Sequence, residues 1–279
     1  CIIGYDVEGH VEEVADDVAG FKKGDRVFGL TRFGGYAQYA VTQAQAVSHM
    51  PEEAPIGTGC ALATQCVTAY HAAILSQTLL PGEKVLIHAA AGGLGTALVQ
   101  IALWKGCTVI GVAGGSEKVE YLKNLGVYHV VDHHRINWTD YVHQYLNGRV
   151  DVIFDNIGGS SIKKGKSVLA HGGRIVTLGA AALSGKKGKL NLIRLGLGFG
   201  FFSPIAYLSK SQSLIGVNML KIADYRPDML AESFKGVTTL HSKGILNPHI
   251  GAIFNGTELY KAHDFLEGRA SIGKVVVKW

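Results

Sequence analysis

The rhythm of apolar and polar positions changes twice along the chain. Over residues 1–50 it runs with a period of two in short stretches, "YDVEGHVEEV", "GDRVFGL" and "GGYAQYAVT", separated by glycines. A period of two sends successive side chains to opposite faces, so this region predicts antiparallel β structure. From 51 to 245 unbroken apolar runs take over: "KVLIHAA", "TVIGVAG", "HVVD", "DVIFDNIG" and "RIVTLG", with stretches of helix length between several of them. Strands apolar on both faces, alternating with helices, predict a parallel sheet covered on both sides. Residues 246–279, "PHIGAIFNG" and then "LYKAHDFLEGRASIGKVVVKW", predict a strand, a helix and a last strand, a return to the first region. No fixed-period repeat or low-complexity tract interrupts this order.

The junction "IHAAAGGLG" (residues 87–95) carries the most chemistry. A buried strand precedes it, and a helical face of Leu94, Leu98, Ile101 and Ala102 follows. Ala90, Gly92 and Gly95 stand in the places of G-x-G-x-x-G, with Gly93 and Leu94 between them. Gly92 lets backbone approach a pyrophosphate, Gly95 lets the helix lie close to its strand, and the helix start supplies unpaired N–H donors. The reading is a dinucleotide cradle. A cofactor without a 2′-phosphate is met by Asp or Glu at the end of the second strand; here Ala113 stands there, followed by Gly114, Gly115, Ser116 and Lys118. Ser116 suits a helix N-cap. Lys118 in a first helical turn opposes the helix dipole, which a nearby anion would justify; the bland alternative is a solvated surface lysine. The balance predicts NADPH.

Composition adds limits. The net charge of +5 without a long Lys/Arg run gives no case for nucleic acid and is compatible with an anionic small ligand. Four cysteines without a C-x-x-C pair predict a reduced, cytoplasmic protein. The most apolar stretch, "LGLGFGFF" at 195–202, is far shorter than the ~20 residues of a membrane helix.

These motifs, with "GYDVEGHVEEVADDVAGFKKGDRVFG" and the closing "AHDFLEGRASIGKVVV", resemble the medium-chain dehydrogenase/reductase superfamily. Within it they look most like the zinc-free quinone oxidoreductase branch of zeta-crystallin and the vesicle amine transport protein. The resemblance implies a Rossmann-type doubly wound sheet plus a GroES-like antiparallel β domain, N-terminally incomplete because relatives carry further residues before "GYD". It implies residues 1–50 as the partial β domain, 51–245 as the NADP-binding domain and 246–279 as the return to the first. Thr68, Gly92 to Gly95, Gly114 to Lys118, His133, Asn156 and the turn Leu178, Gly179, Ala180 fall where the family contacts its cofactor. His133 stands where relatives often have a tyrosine beside the adenosine phosphate; a solvated loop histidine is the alternative. Asn218 and Phe254 fall near the nicotinamide end. A homodimer along the sheet edge is also implied.

Where zinc-dependent relatives have the ligand histidine of "GHE", this chain has Gly4-Tyr5-Asp6, and tyrosine is a poor zinc ligand. No metal site is expected. Without a Lewis acid, a quinone or an α,β-unsaturated carbonyl, already electrophilic, is the expected hydride acceptor. Tyr5 is either a hydrogen-bond donor to the substrate or a core residue. Cys66 reads as a packed thiol rather than a nucleophile, and Asp155 as a cofactor-cleft residue or a turn cap. The basic, apolar tract 186–210 reads as pocket lid plus dimer contact, with a membrane-surface contact not favoured. The alternative function is an NADPH-binding, membrane- or lipid-associated module with vestigial reductase activity.

Overall fold

The structure is a computed structural model describing residues 2–181, 196–200 and 202–279. It divides into two compact units, one of Cys1–His71, Gly92–Ala97 and Met219–Trp279, the other of Ala72–Ala91 and Leu98–Asn218.

The first unit opens with an antiparallel sheet in which β1 (Asp6–His10) pairs with β2 (Arg26–Leu30), and β2 pairs with β3 (Val47–His49). Alternation puts Phe28 and Leu30 inside, at 1% and 3% exposure. The third expected strand, "GGYAQYAVT", does not form: the segment is irregular from Gly34 to Gln43. Its backbone donors go sideways, Gly35 N–H to Gly4 and Tyr36 N–H to Ile3, and the Thr42 hydroxyl caps the Leu30 carbonyl. The apparent alternation there leaves Tyr39 and Val41 exposed, so no buried face drives pairing. Next comes a helix of unusual pitch, in which α-helical Thr58–Ala61 and Val67–Tyr70 alternate with π-helical Leu62–Cys66 and His71–Leu75. Such bulges often mark functional positions. Cys66 is buried in it, and burial pushes its thiol up to about 12, as a packed thiol requires.

The second unit holds six strands: β4 (Lys84–His88), β5 (Thr108–Ala113), β6 (His129–Asp132), β7 (Val150–Asp155), β8 (Leu169–Thr177) and β9 (Ser213–Gly216). Their order is β6-β5-β4-β7-β8-β9, every pair parallel. The five apolar runs predicted from the sequence are β4 to β8. The winding reverses between β4 and β7, which in such sheets is where ligands meet the strand carboxyl ends. Leu86, Ile110, Ile153 and Ile175 form one core with Val142 and Ile162 from the helices Trp138–Tyr145 and Ser160–Val168. The helix after β5 runs Ser116–Asn124, so Ser116 is its first residue, and the cap position belongs to Gly115, whose φ of 92° a side chain would resist.

Residues 182–195 and 201, which include the first part of the expected lid and two residues of "LGLGFGFF", lie outside the described residues. Of the remainder, Phe199 and Phe202 pack against the sheet core, while Leu197, Ile205 and Leu208 are exposed. Among the described residues no helix is long and apolar enough to cross a membrane.

The chain re-enters the first unit at Met219, and there the helix Pro227–Ser242 starts on a proline where no N–H is needed. Its Phe234 ring meets Phe28 at 5.6 Å. The tail supplies β10 (Ile250–Asn255), the helix Leu259–Glu267 and β11 (Lys274–Lys278), as the pattern predicts, with β10 and β11 parallel.

Candidate cofactor site

β4 ends at His88, and the helix Gly93–Trp104 begins five residues on. Between them Ala89 takes a left-handed φ of 49°, and the Ala90 N–H returns to the Val112 carbonyl at 3.0 Å. Both hold the turn tight without a side chain. Gly92, Gly93, Leu94 and Gly95 thus form the turn and the first helical turn, with N–H groups lacking intrahelical acceptors. A Cβ on Gly93 would overlap the Gln65 amide, which lies against its backbone. Gln65 went unnoticed in the sequence because nothing local marks it.

At the ends of β5 and β6, Ala113 pairs with Asp132. Asp132, also missed, ties the two loops together: its Oδ1 accepts the Gly115 N–H at 3.2 Å and the His134 N–H at 3.0 Å. The His133 N–H reaches the Ala113 carbonyl at 2.9 Å. Both imidazoles close on Gly114, where a Cβ would lie 2.7 Å from His133 Nε2 and 2.8 Å from His134 Nε2. Gly114, Gly115, Ser116 and His133 are therefore brought together, and Lys118 is near enough to lower the His133 pKa.

At the ends of β7 and β8, Asp155 is completely buried. Its Oδ1 accepts the N–H groups of Ile157 and Gly158 at 2.8 and 2.7 Å, and its Oδ2 accepts the Ser161 hydroxyl. His88 Nε2 lies 3.3 Å from the same hydroxyl, and its ring sits edge-on to Trp138. Burial draws the His88 imidazole below its ordinary value, with Asp155 opposing and His133 adding to the shift. Of the two readings of Asp155, the turn cap is the one its hydrogen bonds describe. The capped turn carries Asn156, whose Oδ1 is buried without a hydrogen-bond partner among the described residues. Leu178 and Ala181 donate back to the Asp155 and Asn156 carbonyls at 2.8 and 3.0 Å, which brings the Leu178–Gly179–Ala180 turn onto Asn156. An orphaned buried acceptor beside two backbone turns is what a ligand donor would complete.

In the first unit, Thr68 is buried and its hydroxyl is spent on the Thr64 carbonyl of its own helix. Thr64 Oγ1 and Gln65 Oε1 are buried without partners among the described residues. The Tyr5 ring packs on Phe33 at 5.2 Å. Its neighbour Asp6 pairs with Lys274, and both are largely buried. Burial lowers the Lys274 pKa, but the Asp6 carboxylate outweighs it and holds the amine above its usual value. Phe254 packs on Phe265 at 6.0 Å, and Asn218 closes the second unit. Among the described residues no group of three His, Cys, Asp or Glu side chains is placed to hold a metal.

An all-parallel doubly wound sheet with a glycine turn after its first strand, an orphaned acceptor at the switch point and histidines closed over Gly114 defines a dinucleotide-binding protein. Comparison with known proteins narrows the class. Residues 1–52 match the alcohol dehydrogenase GroES-like domain, and residues 93–234 match the family described as zinc-binding dehydrogenase. The chain is 31% identical to the human (Homo sapiens) quinone oxidoreductase over 98% of its own length and 78% of that protein. It is 29% identical to the human synaptic vesicle membrane protein VAT-1 homolog, over 98% of this chain and 70% of that one. The crystal structure of CurK enoyl reductase superposes with a TM-score of 0.84 at 25% identity, over 99% of this chain and 79% of that chain. The chain belongs to the medium-chain dehydrogenase/reductase superfamily, in the group of its quinone oxidoreductases. It is an oxidoreductase of the nicotinamide-dependent kind.

Proposed function

We propose that the chain transfers a hydride from NADPH to a quinone or an α,β-unsaturated carbonyl, without zinc. The observation carrying the cofactor choice is the end of β5. No carboxylate stands at Ala113 to claim a ribose hydroxyl, the Gly114 backbone lies under two imidazoles, and Lys118 follows in the first helical turn. The carboxylate at the end of β6, Asp132, is already engaged by two backbone N–H groups and by Arg135 at 3.5 Å.

NADPH, when bound, supplies the hydride. The residues of the chain bind and orient. The first turn from Gly92 to Gly95 offers N–H donors to the pyrophosphate, while Asn156 and the Leu178–Ala180 turn offer acceptors and backbone to the remainder of the cofactor. Tyr5 is the proposed hydrogen-bond donor to the substrate oxygen. Likeness to a quinone oxidoreductase and an enoyl reductase supports an electrophilic, conjugated acceptor. The exposed Leu197, Ile205 and Leu208 support a contact surface in that tract, which we read as a dimer contact.

Titration with NADPH and NADH, followed by nicotinamide fluorescence, tests the reading. The expected result is tighter binding of NADPH, weakened about tenfold or more in Lys118→Ala, on the scale of a charge-assisted contact. Turnover with a quinone and with a 2-alkenal, unchanged by a chelator, completes the expectation. Equal or better binding of NADH would overturn the choice of cofactor.

A further inference from the structure

Three buried polar side chains meet across the point where the winding of the large sheet reverses. His88 ends β4, Asp155 ends β7, and Ser161 lies in the first turn of the helix that follows β7. The three residues are 5%, 0% and 7% exposed. His88 Nε2 stands 3.3 Å from the Ser161 hydroxyl and 3.8 Å from Asp155 Oδ2, so its hydrogen bond goes to the serine. The Trp138 ring packs edge-on against the imidazole at 4.9 Å and restrains its rotation.

Counting donors fixes the direction of these bonds. Asp155 accepts the Ile157 and Gly158 N–H groups on Oδ1 and the Ser161 hydroxyl on Oδ2. With its hydrogen spent there, Ser161 Oγ has only lone pairs to offer His88, so Nε2 carries the imidazole hydrogen. Burial favours the neutral ring, which has one N–H to place. This order is the reverse of a hydrolytic triad, in which the histidine takes the serine hydrogen and frees a nucleophile. Ser161 therefore transmits orientation and is not an attacking group. The bonds end on the turn that carries Asn156, whose Oδ1 is buried without a partner among the described residues.

We propose that His88 is a positioning residue for the nicotinamide cofactor: its Nε2–H, bonded through the Ser161 hydroxyl to Asp155, holds the Asn156 turn in the arrangement that receives the cofactor. This rests on the reading of Asn156 as a cofactor contact. His88 also directly precedes Ala89, the left-handed residue that opens the glycine turn. One side chain thus ties the turn after β4 to the turn after β7. A ligand spanning the switch point gains from having both in register beforehand, because ordering them on binding would cost affinity.

NADPH affinity, followed by nicotinamide fluorescence in a double-mutant cycle with Asn156, tests the proposal. His88→Leu and Ser161→Ala are each expected to weaken NADPH binding about tenfold, the scale of one buried hydrogen bond. His88→Gln, which keeps an N–H near the place of Nε2, is expected to recover most of that loss. Asn156→Ala alone is expected to weaken binding, and adding His88→Leu or Ser161→Ala to it to cause little further loss, because their effect runs through Asn156. A purely structural role would lower the denaturant midpoint and add its loss to that of Asn156→Ala in full, so additive losses overturn the proposal. Ser161→Ala removes a single atom and carries the test even where His88→Leu does not fold; wild-type affinity in Ser161→Ala also overturns it. Unchanged affinity in Asn156→Ala would remove Asn156 as a cofactor contact, and the positioning role with it. Failure of the wild type to bind NADPH or NADH would instead overturn the cofactor reading itself.

Discussion

Ala89 is the residue under most backbone tension in the cofactor loop. Its φ of 49° lies in the region that a Cβ makes costly by roughly 1–2 kcal/mol, partly offset by the entropy a glycine would lose. Ala89→Gly is therefore expected to raise stability by up to about 1 kcal/mol, read as a shift in the denaturant midpoint. Arg174 and Glu83 give a second residue-scale test. The guanidinium meets both Glu83 oxygens at 2.7 and 2.8 Å and also reaches Gln77 and the Thr78 carbonyl. Burial alone would raise the Glu83 carboxyl, but Arg174 outweighs it and holds the group below its ordinary value. A depressed folded pKa stabilises fully above the unfolded value, about 4.3, and that contribution is lost as the pH falls through the folded one. Thermal melts of the wild type are expected to drop below about pH 4, and Glu83→Gln to start lower and show a shallower acid loss. Equal slopes would remove the pair from the account.

Elements show how one carboxylate shapes a turn. Asp155 ends β7 and holds the Ile157 and Gly158 N–H groups and the Ser161 hydroxyl, so the strand-to-helix turn is fixed before any ligand arrives. Asp155→Ala orphans all three donors in a buried turn, at a cost of about 3 kcal/mol. The same variant is expected to weaken cofactor binding, because Asn156 rides on that turn. Hydrogen exchange at Ile157 and Gly158 distinguishes a loosened turn from global unfolding: local loss of protection is expected first.

For the whole molecule, the edge of the large sheet is the feature that calls for a partner. Among the described strands β9 has a single neighbour, β8, and it leaves Leu214 39% exposed, while Ile205 and Leu208 just before it are exposed too. An open apolar edge strand is a template for pairing with a second copy. Light scattering on the eluting protein is expected to give a dimer, and Leu214→Lys to shift it to monomer with cofactor binding retained. A wild-type monomer would rule out this edge as an interface.

Much of the fold was legible because it is written locally. The unbroken runs that became β4 to β8 are apolar on both faces, and "AAAGGLG" carries the turn and the helix start within a few residues. The candidate residues on that turn and on Gly114 to Ser116 followed from spacing alone. What spacing could not supply is contact across long separations: Asp132 reaching Gly115, Gln65 lying on Gly93, Ser161 meeting His88 73 positions away. The false strand at "GGYAQYAVT" has the same origin, since alternation makes a strand only where a partner and a buried face are present. The sequence by itself determined the class of sheet and the place of the glycine turn after its first strand, because periodicity and turn chemistry act over neighbouring residues. Only the tertiary structure decided which histidines, carboxylates and amides gather at the strand ends, because burial and hydrogen bonding act between residues the chain keeps far apart.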